Sequence, residues 1–164
     1  MGNYIYHYSS PLGVLRIQTS EEYILSIHYT NLNAADMPAS NKSCNVEPVQ
    51  EVCRWLDAYF TGAALNSANM PISFNGTPFQ NSVWKHLLEI PYGQTVTYGQ
   101  IAKVIAQERG TRKMSPQAVG QAVGANPISI LVPCHRVIGA KGKLTGYAGG
   151  IDRKIWLLSH EQSI

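Results

Sequence analysis

Hydrophobic and polar positions alternate along the first thirty residues and then change to steps of three and four. Tyr4, Tyr6 and Tyr8 alternate with smaller or polar neighbours, and Val14, Arg16 and Gln18 alternate with Leu15 and Ile17. A period of two puts successive side chains on opposite faces of a half-buried strand. Between these runs, Ser10-Pro11-Leu12-Gly13 is turn chemistry, with Pro fixing φ and Gly allowing it to be positive. The alternation returns from Tyr23 to Tyr29, so the first part predicts an antiparallel meander. Residues 31–45 are small and polar and predict a loop. Over residues 46–60, Val49, Val52, Cys53, Leu56 and Phe60 fall at helical spacing. A connection from Thr61 to Asn69 then leads to a short strand near Met70–Phe74, and the turn at Asn75-Gly76 is the expected boundary between a domain of residues 1–76 and one of residues 77–164.

The second half reads as capped helices. Thr77-Pro78-Phe79-Gln80 supplies an N-cap, a proline at the first helical position and a capping-box Gln. That helix runs to about Leu88 and stops before Pro91. Thr97-Tyr98-Gly99-Gln100 repeats the box and opens a second helix. Ser115-Pro116 opens a third, ending before Asn126-Pro127. Helix, turn and short helix resemble a helix-turn-helix. In the third helix Val119 and Val123 anchor the core side, while Ala118, Ala122 and Ala125 form a small-residue stripe thinned by Gly120 and Gly124. That stripe fits either close helix packing or entry into a nucleic-acid groove. An apolar run Ile128–Val132, a Gly-rich loop Gly139–Gly150 and a last amphipathic helix with Ile151, Ile155 and Leu158 on one face complete the chain.

Composition narrows the class. Of 164 residues, 45% are hydrophobic and 14% charged, enough apolar material for a packed core. There is no apolar run of bilayer length and no signal-peptide layout at the N-terminus. Three cysteines without framework spacing suit a reducing compartment, so a cytoplasmic protein without a membrane partner is expected. Charge is divided unevenly. Residues 1–76 hold three basic and six acidic side chains, residues 77–164 ten basic and four acidic. A basic half is what a polyanion-binding surface requires.

The chemistry concentrates in Asn126-Pro127-Ile128-Ser129-Ile130-Leu131-Val132-Pro133-Cys134-His135-Arg136-Val137. The pattern predicts an apolar strand delivering a cysteine at its end, with a turn at Pro133–Cys134 if His135 is to work with Cys134. Nearby cations lower a thiol's pKa, and His135 and Arg136 are in position to do so. A Cys-His pair alone fits an inert buried thiol, a thiol hydrolase or a redox site. Three further features are more specific: the Asn-Pro ahead of Pro-Cys-His-Arg-Val, the Gly146-Tyr147-Ala148-Gly149-Gly150 loop, and the ending Trp156-Leu157-Leu158-Ser159-His160-Glu161. Together with Thr77–Gln80 and Ile90–Tyr98, they resemble the O6-alkylguanine-DNA alkyltransferase (methylated-DNA–protein-cysteine methyltransferase) family over nearly all of residues 77–164. The N-terminal half resembles it more loosely, through Ser10–Gly13.

The resemblance implies a mixed α/β (α+β) fold. A small N-terminal α/β domain with an antiparallel sheet would be ribonuclease H-like, and a mostly helical winged helix-turn-helix domain would hold the active site and bind DNA. It implies a single-turnover transfer of a methyl or larger alkyl group from O6-alkylguanine in double-stranded DNA, with O4-alkylthymine a second candidate substrate, by a protein expected to be a monomer. Cys134 would accept the alkyl group. His135 would take the thiol proton through a water, and Glu161 would polarise His135, favouring its imidazolium form and so the thiolate. Tyr98 would donate to guanine N3, and Asn126 would brace the turn. The backbones of Cys134, Val137 and Ala148 would read the guanine edges beside Tyr147 and Gly149. Thr97, Gln117, Ala118, Gln121, Ala122 and Arg136 would face DNA, with the nucleotide flipped out through the minor groove. No cofactor or metal is expected; His7, His28 and Cys44 have no ligand spacing.

One position departs from the family pattern. Many members carry Arg where Gln117 stands, to fill the gap left by the flipped base, so flipping here is expected to be retained but weaker. The segment Gln107–Met114 is longer than the usual linker and carries Arg109, Arg112 and Lys113. Three other readings remain: an alkyl-lesion sensor and a helix-turn-helix regulator, both without transfer chemistry, and a cysteine hydrolase, which would need an oxyanion hole and repeated turnover. A sensor would replace the acceptor cysteine, and a regulator would not need Asn126, the Gly-rich loop and Glu161 together.

Overall fold

The computed structural model describes residues 2–38 and 45–164. They form two compact units. The first holds the chain up to Phe74 together with Pro127–Ser129, and the second holds Asn75–Asn126 with Ile130–Ile164. No helix among the described residues is long and apolar enough to cross a membrane.

In the first unit, β1 (Tyr4–Ser10), β2 (Gly13–Thr19) and β3 (Ile24–Tyr29) form an antiparallel sheet in that order. The Ser10 hydroxyl closes the first hairpin by donating to the Gly13 carbonyl at 2.7 Å. Helix α1 (Glu47–Phe60) buries Val49, Val52, Trp55, Leu56 and Tyr59. The apolar face is thus shifted from the expected one. Trp55 and Tyr59 stack at 5.2 Å inside, while Cys53 and Phe60 are only half-buried. Each fully buried side chain of this size contributes about 1.5–3 kcal/mol. In the 31–45 stretch there is one short 3-10 turn, Ala34–Asp36; Ala39–Cys44, and with them the Cys44 reading, lie outside the described residues. His7 and His28 stand either side of Arg16 in the strand register. Burial and that guanidinium lower the pKa of His28, surroundings that disfavour a further cation.

Two expected strands reduce to single bridges. Ile72 pairs with Ile24, but Pro71 has no N–H to extend the ladder and contributes only its carbonyl, which accepts from Ile24 N at 2.7 Å. Ile128 pairs with Ile27 through the carbonyl of Pro127 and the N–H of Ser129, both at 3.0 Å. The run then turns at once, with Ile130 at φ 70°.

The second unit is built on α2 (Pro78–Leu88), α3 (Tyr98–Arg109) and α4 (Pro116–Gly124). Both capping boxes form: Thr77 and Thr97 each accept from the N–H three residues on, and Gln80 and Gln100 reach back. Such a cap stabilises by about 1 kcal/mol. Gly110 ends α3 in the left-handed conformation at φ 65°. Ser115 caps α4 by accepting from the N–H groups of Gln117 and Ala118. Trp84 of α2 ties into α4 by donating its indole N–H to the Ala122 carbonyl at 2.8 Å. Its ring packs so tightly on Gly76 that a Cβ there would lie 2.5 Å from a ring carbon. Two two-residue strands, β4 (Val96–Thr97) and β5 (Val137–Ile138), pair in parallel. The last helix, α5 (Ile151–His160), does not bury the expected stripe. Ile151 and Ile155 are 40% and 39% exposed, and the inner face runs through Lys154, Leu157 and Leu158 to Glu161. Polar residues occupy that face because they serve the site.

Candidate active site and nucleic-acid interface

The cysteine is presented by a stapled turn rather than by the end of a strand. The Asn126 side-chain amide donates to the Val132 carbonyl at 2.9 Å, closing the loop between them. Pro133 then caps a 3-10 turn of Cys134, His135 and Arg136, all buried. This turn replaces the alternation of a strand and carries the two neighbours of Cys134 inward.

Behind the turn, Glu161 gathers both. Its Oε1 lies 2.8 Å from His135 Nε2. The Arg136 guanidinium donates from Nε to Oε2 and from Nη2 to Oε1, each at 2.9 Å, and from Nη1 to the Ile90 carbonyl at 2.7 Å. Tyr92 lies under the guanidinium at 5.7 Å. The turn ahead of β4 approaches just as closely. Gly93 has φ 77°, and a Cβ on it would come within 3.2 Å of the Glu161 carbonyl, so only glycine suits both conformation and space. Arg136, expected to face DNA, is instead 4% exposed with its fork spent on Glu161, so it is a bracing residue.

Lys154, which the sequence reading missed, is fully buried. Its ammonium donates to the carbonyls of Val137 at 2.6 Å, Thr145 at 2.9 Å and Gly146 at 3.2 Å. The signal was present: a lysine three and seven residues from Leu157 and Glu161 on one helical face.

Burial decides the protonation states. It raises the Cys134 thiol, and the opposing influences of Asn126, the Lys154 charge and the N–H groups of Cys134 and His135 do not cancel it. Burial also lowers His135, although Glu161 pulls it up. The Glu161 carboxyl is pushed up by burial but held well below the usual range by hydrogen bonds and charge from His135 and Arg136. The resting site is therefore a neutral thiol, a neutral imidazole and a carboxylate. Glu161 raises His135 in the expected direction, and burial, with the charges of Arg136 and Lys154, opposes it. His135 Nδ1 is buried with no hydrogen-bond partner among the described residues. With Nε2–H donating to the carboxylate, that nitrogen is a free base.

Cys134 opens onto a pocket of about 180 Å³ lined by Tyr98, Gly120, Val123, Gly124, Gly146, Tyr147 and Ala148. The structure thus brings together Cys134, His135, Asn126, Glu161, Tyr98, Tyr147 and Ala148. Gly149 follows Ala148, and its carbonyl accepts from Arg153 at 3.0 Å. The Val137 carbonyl accepts from Lys154, leaving one lone pair. On α4, Gln117 and Gln121 are exposed and Ala118 half-exposed. Ala122, expected on the DNA side, is 3% exposed because its carbonyl anchors Trp84, so it belongs to the core. Thr97 is half-buried and caps α3. Lys103, Arg112 and Lys113 border a hollow of about 340 Å³ at the α3–α4 turn.

A buried cysteine on a pocket, with a hydrogen-bonded histidine–carboxylate pair beside it, sits in a unit built around a helix-turn-helix. Residues 78–163 match the 6-O-methylguanine DNA methyltransferase DNA-binding domain, and residues 3–74 match the ribonuclease-like domain of the same family. The chain belongs to the 6-O-methylguanine DNA methyltransferase family. A methylated-DNA–protein-cysteine methyltransferase of Methanosarcina acetivorans is 45% identical over 95% of this chain and 96% of its own. The Shigella flexneri protein of that name is 43% identical over 90% and 82%. A crystal structure of Mycobacterium tuberculosis O6-methylguanine methyltransferase superposes with TM-score 0.77 at 39% identity, covering 99% of this chain and 94% of that one. The same protein in complex with DNA superposes with TM-score 0.78, covering 97% and 92%.

Proposed function

We propose that this protein repairs alkylated DNA by moving the alkyl group from O6-alkylguanine to Cys134, once per chain. The observation that carries this reading is the buried Cys134 on a base-sized pocket, with His135 Nδ1 free and Nε2 held by Glu161.

The steps balance with these groups alone. The neutral thiol passes its proton to His135 Nδ1 through a water, leaving a thiolate beside the Lys154 charge and two backbone N–H groups. A sulfur lone pair attacks the alkyl carbon, the C–O6 bond breaks, and its electron pair stays with the guanine. Tyr98 donates a hydrogen bond to N3 so that the leaving base does not carry its full charge. The proton lost by the thiol equals the one guanine needs at N1. The thioether product has no good leaving group, so the chain is consumed.

Since the reactive carbon is stacked inside a duplex, the nucleotide must be flipped into the pocket. The exposed face of α4 suits the minor groove, with Gln117 at the gap, Ala118 and Gln121 along the groove, and Thr97 near the backbone. Lys103, Arg112 and Lys113 hold phosphates, which makes binding weaken with salt. The carbonyls of Cys134 and Val137 and the backbone of Ala148 read the base edge, and Tyr147 and Gly149 form the pocket wall. In this reading residues 77–164 carry recognition and chemistry and residues 1–76 support them. The protein acts as a monomer in the cytoplasm, where reducing conditions keep Cys134 as a thiol.

The test follows label from an O6-[³H-methyl]guanine duplex at substoichiometric protein. Label bound to protein should reach one equivalent per chain and stop, and Cys134→Ala should bind none. Continued release of labelled methyl beyond one equivalent would show a turning-over hydrolase and refute the reading.

A further inference from the structure

Helix α5 meets the site at both of its ends. At its far end Glu161 receives His135 and Arg136, and in its first turn two adjacent cations turn back onto the pocket loop. The Lys154 ammonium has three protons, and three carbonyl oxygens take them: Val137 at 2.6 Å, Thr145 at 2.9 Å and Gly146 at 3.2 Å. Beside it, Arg153 Nη1 donates to the Gly149 carbonyl at 3.0 Å. Between these points the Tyr147 carbonyl accepts from the Gly150 N–H at 2.9 Å. The backbone from Thr145 to Gly149 is thus held from α5, and its Gly146, Tyr147 and Ala148 line the pocket onto which Cys134 opens. Chain stiffness does not hold it. The loop carries one 3-10 turn, Ala140–Gly142, and glycines at positive φ at 142, 146 and 150. Val137, the third carbonyl on Lys154, directly follows the turn of Cys134, His135 and Arg136. One ammonium therefore joins the strand leaving the cysteine turn to the loop that walls its pocket.

We propose that Lys154 is a positioning residue: with Arg153 it latches the Thr145–Gly149 wall to α5 and so fixes the base-reading backbone at Ala148 relative to Cys134. A lysine this deep is stable only when every ammonium proton is bound, and here the bound groups are the wall itself. The same helix then carries the constraint to the relay, since Lys154 and Glu161 are seven residues, about 10 Å, apart along one rigid element. Two things that must act on one base, the wall and the proton relay, are thereby set by a single helix. Without the ammonium, two carbonyls of the wall and one beside the cysteine turn lose their shared partner. A glycine-rich segment so released takes many conformations, and few of them present the backbone at Ala148 to a base.

This inference rests on the reading that the wall receives a flipped base, and one arm of its test is independent of that reading. Lys154→Met keeps the apolar stem and removes the donors. Amide hydrogen exchange on the whole protein should run at least about tenfold faster in peptides spanning 143–150 of this variant, with α2 and α4 unchanged. Arg153→Met frees only the Gly149 carbonyl and should speed the same peptides by a smaller factor. Single-turnover transfer from an O6-methylguanine duplex should slow roughly tenfold or more in Lys154→Met, the worth of a hydrogen bond from a charged donor. Methylation of Cys134 by methyl iodide, which makes no use of the wall, should slow by a smaller factor. Equal slowing of both reactions would mean that the lysine acts on the sulfur through its charge alone, and unchanged exchange in the loop would mean that it latches nothing; either overturns the proposal. Where Lys154→Met does not fold, Arg153→Met decides: faster exchange confined to 143–150 supports the latch, and unchanged exchange overturns it. A parent protein that leaves the duplex unreacted, while its loop still loosens in Lys154→Met, would instead refute the proposed function.

Discussion

Glu161 accepts from two buried side chains, His135 and the doubly bonded Arg136. Replacing it with Gln keeps the volume but leaves a buried guanidinium without its counter-charge. Removing one partner of a buried pair costs about 3–5 kcal/mol. Glu161→Gln should therefore lose stability on that scale in urea unfolding, besides losing transfer activity; a loss below about 1 kcal/mol would contradict the geometry. His135 sets the pH dependence. Its folded pKa lies below its unfolded value, so above about pH 6.5 both states are neutral and the group is silent. As pH falls below about 6.5 the unfolded chain takes the proton first, and stability declines by up to about 1.4 kcal/mol per pH unit. Glu161 adds a second loss below about pH 4.3, since its stabilisation is present only while the unfolded carboxyl is also ionised. Unfolding measured from pH 7 to 5 should show a smaller slope in His135→Gln than in the parent, the remainder coming from His28, whose pKa is also lowered. In the proposed function, the same lowered pKa keeps His135 able to take the thiol proton down to pH values where an exposed histidine is already charged.

Among the elements, α2 and α4 are joined where Trp84 reaches Ala122 and packs on Gly76. Gly76→Ala should destabilise by about 1–3 kcal/mol, the cost of overpacking, and thermal melting of the variant measures it. In α4, Gln117 is exposed and uncharged. In the proposed function, Gln117→Arg should repair duplex lesions faster than the parent while reacting equally with free O6-alkylguanine base; no gain on duplex would remove Gln117 from the gap-holding role. What was legible in the sequence follows a physical division. Cap residues and turn signals act over three or four positions, so α2, α3 and α4 could be read from Thr77, Thr97 and Ser115. Bridges at Ile72 and Ile128 depend on partners far along the chain, and the apolar runs there looked like full strands. In α5 the apolar pattern points to Ile151 and Ile155, whereas the buried face carries Lys154 and leads to Glu161.

Across the whole molecule, the same division holds for the site. Cys134, His135 and Asn126 lie in one short motif, and Glu161 in another, so resemblance alone brought them together. Arg136 and Ala122 were assigned to DNA because a cation and a small residue near a recognition helix suit a phosphate and a groove. Their actual partners, Glu161 25 residues away and Trp84 38 residues away, appear only in the folded chain. Lys154 was missed for the same reason: three carbonyls at close range hold its charge where a sequence pattern expects solvent. Among the described residues, one unit holds the β1–β3 sheet with α1, and the helical unit holds Cys134, His135 and Glu161. The central claim concerns one sulfur atom. Intact mass of the protein after incubation with an O6-methylguanine duplex, followed by peptide mapping, should show one added methyl group per chain, located on Cys134 and missing in Cys134→Ala. An unmodified Cys134 after exhaustive incubation, or a methyl group mapped to another residue, would contradict it.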